Sequence, residues 1–479
     1  MHYNVIRRIT GLLLGLFSIT MLPPIVVSFI YNEENHQPFI IGFLTIFLAG
    51  FLLWLSAKNA KEELRTRDGF IIAAMFWLSL GLSGAIPLYI SNVPSLSLTD
   101  AVFESISGLT TTGATVITGL DTLPKSILFY RQQLQWLGGM GIVVLAVAIL
   151  PMLGIGGMQL YKTETPGPVK DAKLTPRITE TAKALWEIYL GLTVACTLAY
   201  WLGGMTFFDA ITHSFSTVSI GGFSTHDASF AFFNNPTLNY ICIFFMLVAG
   251  INFALHFKAA KSLNVKVYAH NDELKSYLFI LIAHTLIICG ALYLLGYSNI
   301  FEQTLFQVVS FATTSGFTST QHADLPLFIP ALLIFMSFYG GCGGSTAGGI
   351  KVVRILIMLK QLGKEITHLI HPHADMPIKL DHHVVSRPVI NAVWSFFSAY
   401  ILSFGILMIL MMMTGLDQIT AFSAVAATLN NLGPGLGDIS SSYASLPDIS
   451  KWIACFSMLL GRLEIFTLLV LFSPVFWRD

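Results

Sequence analysis

Apolar residues fall along this chain in long blocks, separated by short polar and basic segments. A bilayer-crossing helix needs about 20 consecutive, mainly apolar residues. Ten blocks meet that length: 9–31, 37–57, 69–91, 124–150, 183–203, 236–257, 274–297, 327–360, 388–415 and 448–476. The first follows Arg7 and Arg8 and leaves through Tyr31-Asn32-Glu33-Glu34. It is longer than a signal-peptide core and no small-x-small cleavage site follows, so it reads as a retained helix. The eighth is interrupted by glycines from Gly340 to Gly349.

Several connections between these blocks are too long and too apolar for simple loops. Four contain a half-apolar helix of about 12 residues, too short to span, followed by a glycine turn. Such a segment can enter the membrane and return only where protein or a water-filled cavity satisfies its backbone. The pattern predicts four re-entrant pore loops.

The four segments form an internal repeat. Asp100–Gly113, Asp209–Gly222, Gln303–Gly316 and Thr420–Gly433 align without gaps on the final glycine. Asp100 and Asp209 share a register, as do Ser107, Ser216 and Ser310. Asp100, Asp209 and Thr420 are expected as N-caps. Each short helix then aims its negative C-terminal end at the membrane centre, where a cation is favoured. Glycine permits backbone angles that turn successive carbonyls to one axis. Rings of carbonyls that replace a hydration shell are how potassium filters work. Thr110, Thr111, Thr112, Ser219, Thr313, Thr314 and Ser315 keep the expected lumen narrow and polar. A plain loop with a turn glycine explains one such window; it does not explain four in the same register.

Charge adds the topology. Lysine and arginine concentrate in segments 58–67, 161–183, 258–275 and 351–387, while the alternate connections hold chiefly Lys125, Arg131 and Lys451. The positive-inside rule then makes the basic loops and both termini cytoplasmic. Lys162–Lys183 and Lys258–Lys275 are candidate docking surfaces, although basic loops serve topology in any case. Composition agrees: 54% of residues are apolar, 11% are charged, net charge is zero and mean hydropathy is +0.71. Soluble domains carry roughly 25% charged residues. Lipid is therefore the expected surroundings, and nothing points to nucleic acid. Cys196, Cys242, Cys289, Cys342 and Cys455 have no metal-ligand spacing and read as small apolar residues.

Gly340–Lys351 (GGCGGSTAGGIK) holds six glycines in twelve residues. Each glycine costs a helix about 1 kcal/mol against alanine, so this stretch predicts a helix broken at membrane depth, lining a cavity or pathway. No Gly-Lys-Ser/Thr closes it, which excludes a phosphate loop. Arg462, inside the last apolar block, is costly there and is expected to face the interior, as a barrier to cations or as a structural partner of Glu464 or of loop carbonyls. Glu104 and His213 share a repeat register and are candidates to brace the loops. Asp121 and Asp227 follow the loops on the outer side as candidate cation attractors or as solvated residues. His368, His371, His373, His382 and His383 are spaced too irregularly for a metal site and read as a solvated cytoplasmic loop.

The motifs TTTGATV (110–116), STVSIGGFSTHD (216–227), FATTSGFTST (311–320) and TLNNLGPGLGD (428–438) resemble the bacterial Trk/Ktr potassium transporter superfamily, which includes the plant HKT proteins. The resemblance covers essentially the whole chain. It implies an all-α integral membrane protein with four membrane–pore–membrane units in pseudo-fourfold array after two additional helices. The units are 69–160, 161–260, 261–375 (with an intramembrane gating loop at 340–351) and 376–479, preceded by helices in 1–68. It implies one filter glycine per loop, Gly113, Gly222, Gly316 and Gly433, with Thr111, Thr112, Ile220, Gly221, Thr314, Ser315, Asn431 and Leu432 offering carbonyls to K+. Glycine rather than serine at Gly113 favours potassium. Gly340, Gly341, Gly343, Gly344, Ser345, Thr346, Gly348 and Gly349 become a gate beneath the filter, with Arg462 beside it.

The resemblance further implies a bacterial inner-membrane protein and a homodimer. It also implies a cytosolic RCK-type ring that binds the regulating nucleotide. The expected function is gated potassium uptake, with K+ as the transported ion and no catalytic cofactor. Sodium or mixed permeation and cation symport remain in the same class. An intramembrane enzyme is remote, because no Gly-x-Ser-x-Gly, His-Glu-x-x-His or intramembrane aspartate pair is present. A scaffold for a cytosolic partner has no use for four filters.

Overall fold

The computed structural model describes residues 2–60, 65–149, 178–298, 300–373, 376–381 and 383–478. Lys61, Lys162, Lys170, Lys173, Arg177 and His382 lie outside the described residues, and so does most of the basic segment 161–183.

The fold is helical. Among the described residues the strands are one small antiparallel pair, Lys379–Leu380 with His383–Val384. An N-terminal hairpin is built from α1 (Tyr3–Ile19), α2 (Leu22–Ile30) and α3 (Gln37–Ser56). Gly11 and Gly50 let its backbones cross closely. A Cβ on Gly11 would lie 2.7 Å from the Gly50 carbonyl oxygen, and one on Gly50 would lie 2.7 Å from that of Gly11. Small residues at a crossing allow such packing where lipid supplies no hydrophobic drive.

Four successive hairpins follow, each with a short helix of 12 or 13 residues after a longer one. The first has α4 (Thr66–Ile90), α5 (Leu98–Leu109) and α6 (Lys125–Ile149); the second has α7 (Ile178–Leu202), α8 (Phe207–Val218), α9 (Pro236–Ala249) and α10 (Phe253–Ser262). The third has α11 (Asp272–Leu294), α12 (Phe301–Thr313), α13 (Ile329–Met336) and α14 (Val352–Ile370); the fourth has α15 (Arg387–Met413), α16 (Gln418–Leu429), α17 (Asp448–Arg462) and α18 (Phe466–Leu469). Among the described residues, six helical segments are long and apolar enough to cross a membrane unaided. The chain is a multi-pass membrane protein. The short helices α5, α8, α12 and α16 are buried on nearly every face, while the long helices turn apolar residues such as Leu48, Phe279, Leu286 and Ile409 outward.

Two expectations need correction. The helix caps lie three residues before the expected ones. Ser97 Oγ accepts from the Asp100 amide (3.1 Å) and donates to Asp100 Oδ2 (2.8 Å). Thr206 and Asp209 repeat the arrangement at 3.1 and 2.6 Å, and Asp417 accepts from the amides of Ile419 and Thr420. A small side chain in the extended conformation takes the orphan amide, while the acid one turn inside Ser97 or Thr206 complements the positive helix end. The other correction concerns straightness. The sixth and tenth expected spans bend by 92° and 110°, where only the eighth was expected to break. Asn252 caps the new helix α10 through the Ala254 amide (2.8 Å). At the second bend Glu464 and Ile465 take left-handed angles, φ 50° and 59°.

Candidate functional site

The ends of α5, α8, α12 and α16 converge, and the chain leaves each by the same turn. The amide of Thr112 bonds to Ser107 O (2.9 Å), Gly221 to Ser216 O (2.8 Å), Ser315 to Ser310 O (2.8 Å) and Leu432 to Ala427 O (2.7 Å). The preceding residue is left-handed in all four: Thr111 (φ 56°), Ile220 (55°), Thr314 (68°) and Asn431 (54°). This is the Schellman ending of a helix. It normally takes glycine; threonine, isoleucine or asparagine there costs on the order of 1 kcal/mol or more, held by the surroundings. Two residues later each loop is left-handed again, at Gly113 (78°), Gly222 (80°), Gly316 (78°) and Gly433 (97°).

The four loops close into a ring. A Cβ on Gly113 would lie 2.1 Å from Gly221 O, one on Gly222 would lie 2.0 Å from Ser315 O, one on Gly316 would lie 2.1 Å from Leu432 O, and one on Gly433 would lie 2.6 Å from Thr112 O. Each glycine therefore abuts the carbonyl before the glycine of the next loop, in the order first, second, third, fourth, first. No side chain fits at any of the four positions. Thr111, Thr112, Gly113, Ile220, Gly221, Gly222, Thr314, Ser315, Gly316, Asn431, Leu432 and Gly433 are thus brought to one place.

A buried polar shell holds the ring. Ser107 Oγ donates to Ala114 O (2.5 Å) and Ser310 Oγ to Phe317 O (2.6 Å), each just past a ring glycine. Thr110 pairs with Thr112, and Thr313 with Ser315, through their hydroxyls. Glu104, fully buried, accepts from the Val116 amide (3.0 Å), from Thr115 Oγ1 and from Arg131 Nε (2.7 Å). His213 bridges Asp209 O (2.9 Å) and Ser224 Oγ (3.0 Å), and Gln307, at the same register, donates to Thr320 O (2.9 Å). These three brace the chain as it leaves each ring. Several further braces escaped the sequence reading. Gln135 Nε2 donates to Gly221 O (2.6 Å), Tyr443 Oη to Gly433 O (2.9 Å), and Asn431 Nδ2 to Thr112 Oγ1 (2.9 Å). Arg131 carried a signal as a cation inside the apolar block 124–150, a costly position that implies a partner.

Below the ring lies the glycine stretch. Gly348 N donates to Thr314 Oγ1 (2.7 Å), Gly349 N to Asn430 O (3.1 Å) and Thr346 Oγ1 to Val218 O (3.1 Å). The loop therefore touches the ends of the second, third and fourth short helices. Ala347 packs on Ile220 and Ala249. Arg462 completes the circuit, donating to Thr346 O (3.3 Å), Gly139 O (3.2 Å) and Gly138 O; a Cβ on Gly138 would in turn strike Leu109 O at the end of α5. Glu464 pairs with Arg354, and loop carbonyls are among the partners of Arg462. From outside, Glu273 accepts from Gly343 N (2.6 Å) and Val353 N (3.1 Å), Gly344 O accepts from Phe253 N (3.1 Å) and Gly250 O from Cys342 N (2.9 Å). A sequence signal for this layer existed. Gly141, Gly250, Gly344 and Gly461 each stand 28 positions after a ring glycine, at or beside the break in each second long helix.

Past the ring glycines, His226 Nδ1 lies 2.5 Å from Asp121 and its Nε2 lies 3.5 Å from Asp209, while Asp227 accepts from the Leu120 amide (3.0 Å). Asp121 and Asp227 therefore tie the first and second units together. Burial presses the His226 pKa down, but the bonds to Asp209 and Asp121 prevail and hold it above its ordinary value. Among the described residues no group of histidine, cysteine and carboxylate side chains is arranged to hold a metal.

The chain matches the TrkH family model, described as cation transport protein, over residues 35–292 and 295–478. It is 54% identical to the Trk system potassium uptake protein TrkH of Vibrio parahaemolyticus and 51% identical to that of Escherichia coli, each match covering both proteins completely. It is 42% identical to the Trk system potassium uptake protein TrkG of Escherichia coli, covering 100% of this chain and 99% of that one. The crystal structure of the potassium transporter TrkH from Vibrio parahaemolyticus superposes with a TM-score of 0.91 at 51% identity over all of both chains.

Proposed function

This chain belongs to the TrkH family of cation transport proteins, and from that premise we propose that it takes up potassium through the ring of four loops. The observation that carries the reading is the closed contact of Gly113, Gly222, Gly316 and Gly433 with the carbonyls of their neighbours. Helix ends meeting at one point contribute about half an elementary charge each, which favours a cation over an anion. Ring carbonyls from 111–113, 220–222, 314–316 and 431–433 replace the hydration shell of K+. Transfer is passive through the pore, so the protein needs no nucleophile and no resident cofactor.

The loop 340–351 is the gate in this reading. It lies across the exit of the ring, and the charge of Arg462 adds a barrier to cations. A cytosolic nucleotide-binding ring of the RCK type displaces the loop, and the protein works as a homodimer in the bacterial inner membrane with both termini inside. The transport units run 69–160, 161–260, 261–375 and 376–479, after the helices in 1–68. A second reading is mixed potassium and sodium permeation, or symport. It has a specific support: the fourth loop departs from the others, with Pro434 after its glycine, a φ of 97° and a looser contact of 2.6 Å.

Tracer flux into liposomes holding the purified protein tests both. Rubidium entry blocked by potassium, with little sodium entry, is the expected result. Equal sodium entry replaces the first reading with the second. Lack of rubidium entry even with the cytosolic ring present overturns both.

A further inference from the structure

Away from the ring, a hollow of about 480 Å³ opens where α14 meets the start of α15. Its walls are Gln361, Lys364, Glu365 and His368 from one face of α14, Pro372 and His373 from the following turn, and Arg387, Ile390 and Asn391 from α15. Lys364 and Arg387 supply two positive charges. Neither forms an ion pair with any described residue. The one carboxylate in the wall, Glu365, is engaged by the side-chain amide of Gln361 on the same helix. The N-terminus of α15 opens onto the hollow as well, and no side chain caps it. The amides of Val389 and Ile390 turn back to Ser386 O (3.1 and 3.2 Å) and Pro388 has none, so this end contributes its helix dipole to the positive potential rather than free donors.

The setting fixes the depth. On its opposite face α14 exposes Leu359, Leu362, Ile366, Leu369 and Ile370, spaced three and four apart as one stripe. An apolar stripe of that length does not stand in bulk water, and α15 continues from Arg387 into a membrane span. The hollow therefore sits in the interfacial layer, where bilayer phosphates are concentrated. Basic pockets between transmembrane helices at that depth suit the headgroups of acidic lipids.

We propose that this hollow binds the phosphate of an anionic phospholipid headgroup, held by Lys364 and Arg387 beside the positive end of the α15 dipole. The imidazoles of His368 and His373 and the amide of Asn391 provide further hydrogen-bond donors around the charged pair. The site is independent of the conduction reading. It requires only that the chain spans a bilayer.

Native mass spectrometry of the full chain in neutral detergent tests it. The protein is titrated with phosphatidylglycerol, diphosphatidylglycerol and phosphatidylcholine. The acidic lipids are expected to be retained preferentially, and K364Q/R387Q is expected to retain them about tenfold less. K258Q/K261Q makes the same change in charge on α10, and is expected to leave retention unchanged. Equal retention of phosphatidylcholine, or an equal loss in the two double variants, overturns the proposal. Inorganic phosphate and ATP serve as water-soluble probes. A thermal shift by either of them, lost in K364Q/R387Q, in a protein that retains no acidic lipid, assigns the hollow to a free anion instead and overturns the lipid. Retention by monomers but not by dimers assigns it to a second copy of the chain, with the same consequence.

Discussion

The carboxyl group of Glu273, at the start of α11, accepts from the backbone amide of Gly343, in the glycine loop beneath the ring, at 2.6 Å. The same oxygen accepts from Val353 (3.1 Å), where the loop ends and α14 begins. One side chain thus holds the entrance and exit of a segment whose glycines give it little rigidity of its own. The neighbouring Asp272 and Asn271 bond in turn to Asp381 beside the small strand pair, so loop and surface are linked through one helix end.

Glu273→Ala is expected to release the loop. A hydrogen bond within a protein is worth about 0.5–1.5 kcal/mol net, and two are lost. Cys342, buried beside Gly343, reports the movement. With the other four cysteines replaced by alanine, maleimide labelling of Cys342 is expected to rise at least several-fold, and Glu273→Gln, which keeps an acceptor, to fall between. Unchanged labelling would show that the loop is held elsewhere. Labelling that rises with no rise in rubidium flux would leave the latch in place and remove the gate.

Arg462→Gln removes a cation that bonds Thr346, Gly138 and Gly139 carbonyls around the loop. Basal flux is expected to rise several-fold in liposomes lacking any cytosolic partner. A stable variant with wild-type flux would contradict the barrier.

Gly113→Ser sets a side chain against Gly221 O, with 2.1 Å available. The ring has to open there, and potassium-over-sodium selectivity is expected to drop, read as the ratio of rubidium to sodium entry. Gly290→Ala, whose Cβ meets nothing within 4 Å, is the control and should keep the wild-type ratio.

Tyr443→Phe deletes only the hydroxyl that donates to Gly433 O (2.9 Å). A neutral hydrogen bond is worth about 1 kcal/mol, so a melting temperature lower by only about 1 °C is expected for a chain of 479 residues. Selectivity should shift in the direction of Gly113→Ser but less, since the fourth loop is loosened rather than blocked. An unshifted ratio would mean that the outer brace does not set the ring.

His226 joins Asp121 of the first unit to Asp209 of the second only while protonated. Its pKa is raised in the folded chain above the ordinary 6.5. The stabilisation is therefore full below pH about 6.5 and is lost as pH rises through the raised value. Thermal stability should decline across that window on the alkaline side, and His226→Gln should flatten the decline. Parallel pH profiles for the two proteins would remove the role of this histidine.

The sequence by itself determined the membrane setting, the four short helices and the four ring glycines. Each is a local property. Block length answers to bilayer thickness, and a glycine forced by a left-handed turn recurs wherever the turn recurs. The broken eighth span was legible for the same reason, because six glycines in twelve residues cannot sustain a helix. Tertiary structure alone decided which carbonyl each glycine faces, since Gly113 meets Gly221 across 108 positions of chain. It also decided how far the chain bends at Gly250–Asn252 and Leu463–Ile465: the recurring Gly250 and Gly461 mark the places in the sequence, but the break depends on bonds to Cys342 and Arg354 from another unit. Gln135, Tyr443 and Glu273 look like ordinary polar residues along the chain. They become braces only when a distant backbone group with an unspent hydrogen bond is packed against them, and burial without such a partner would be costly for both.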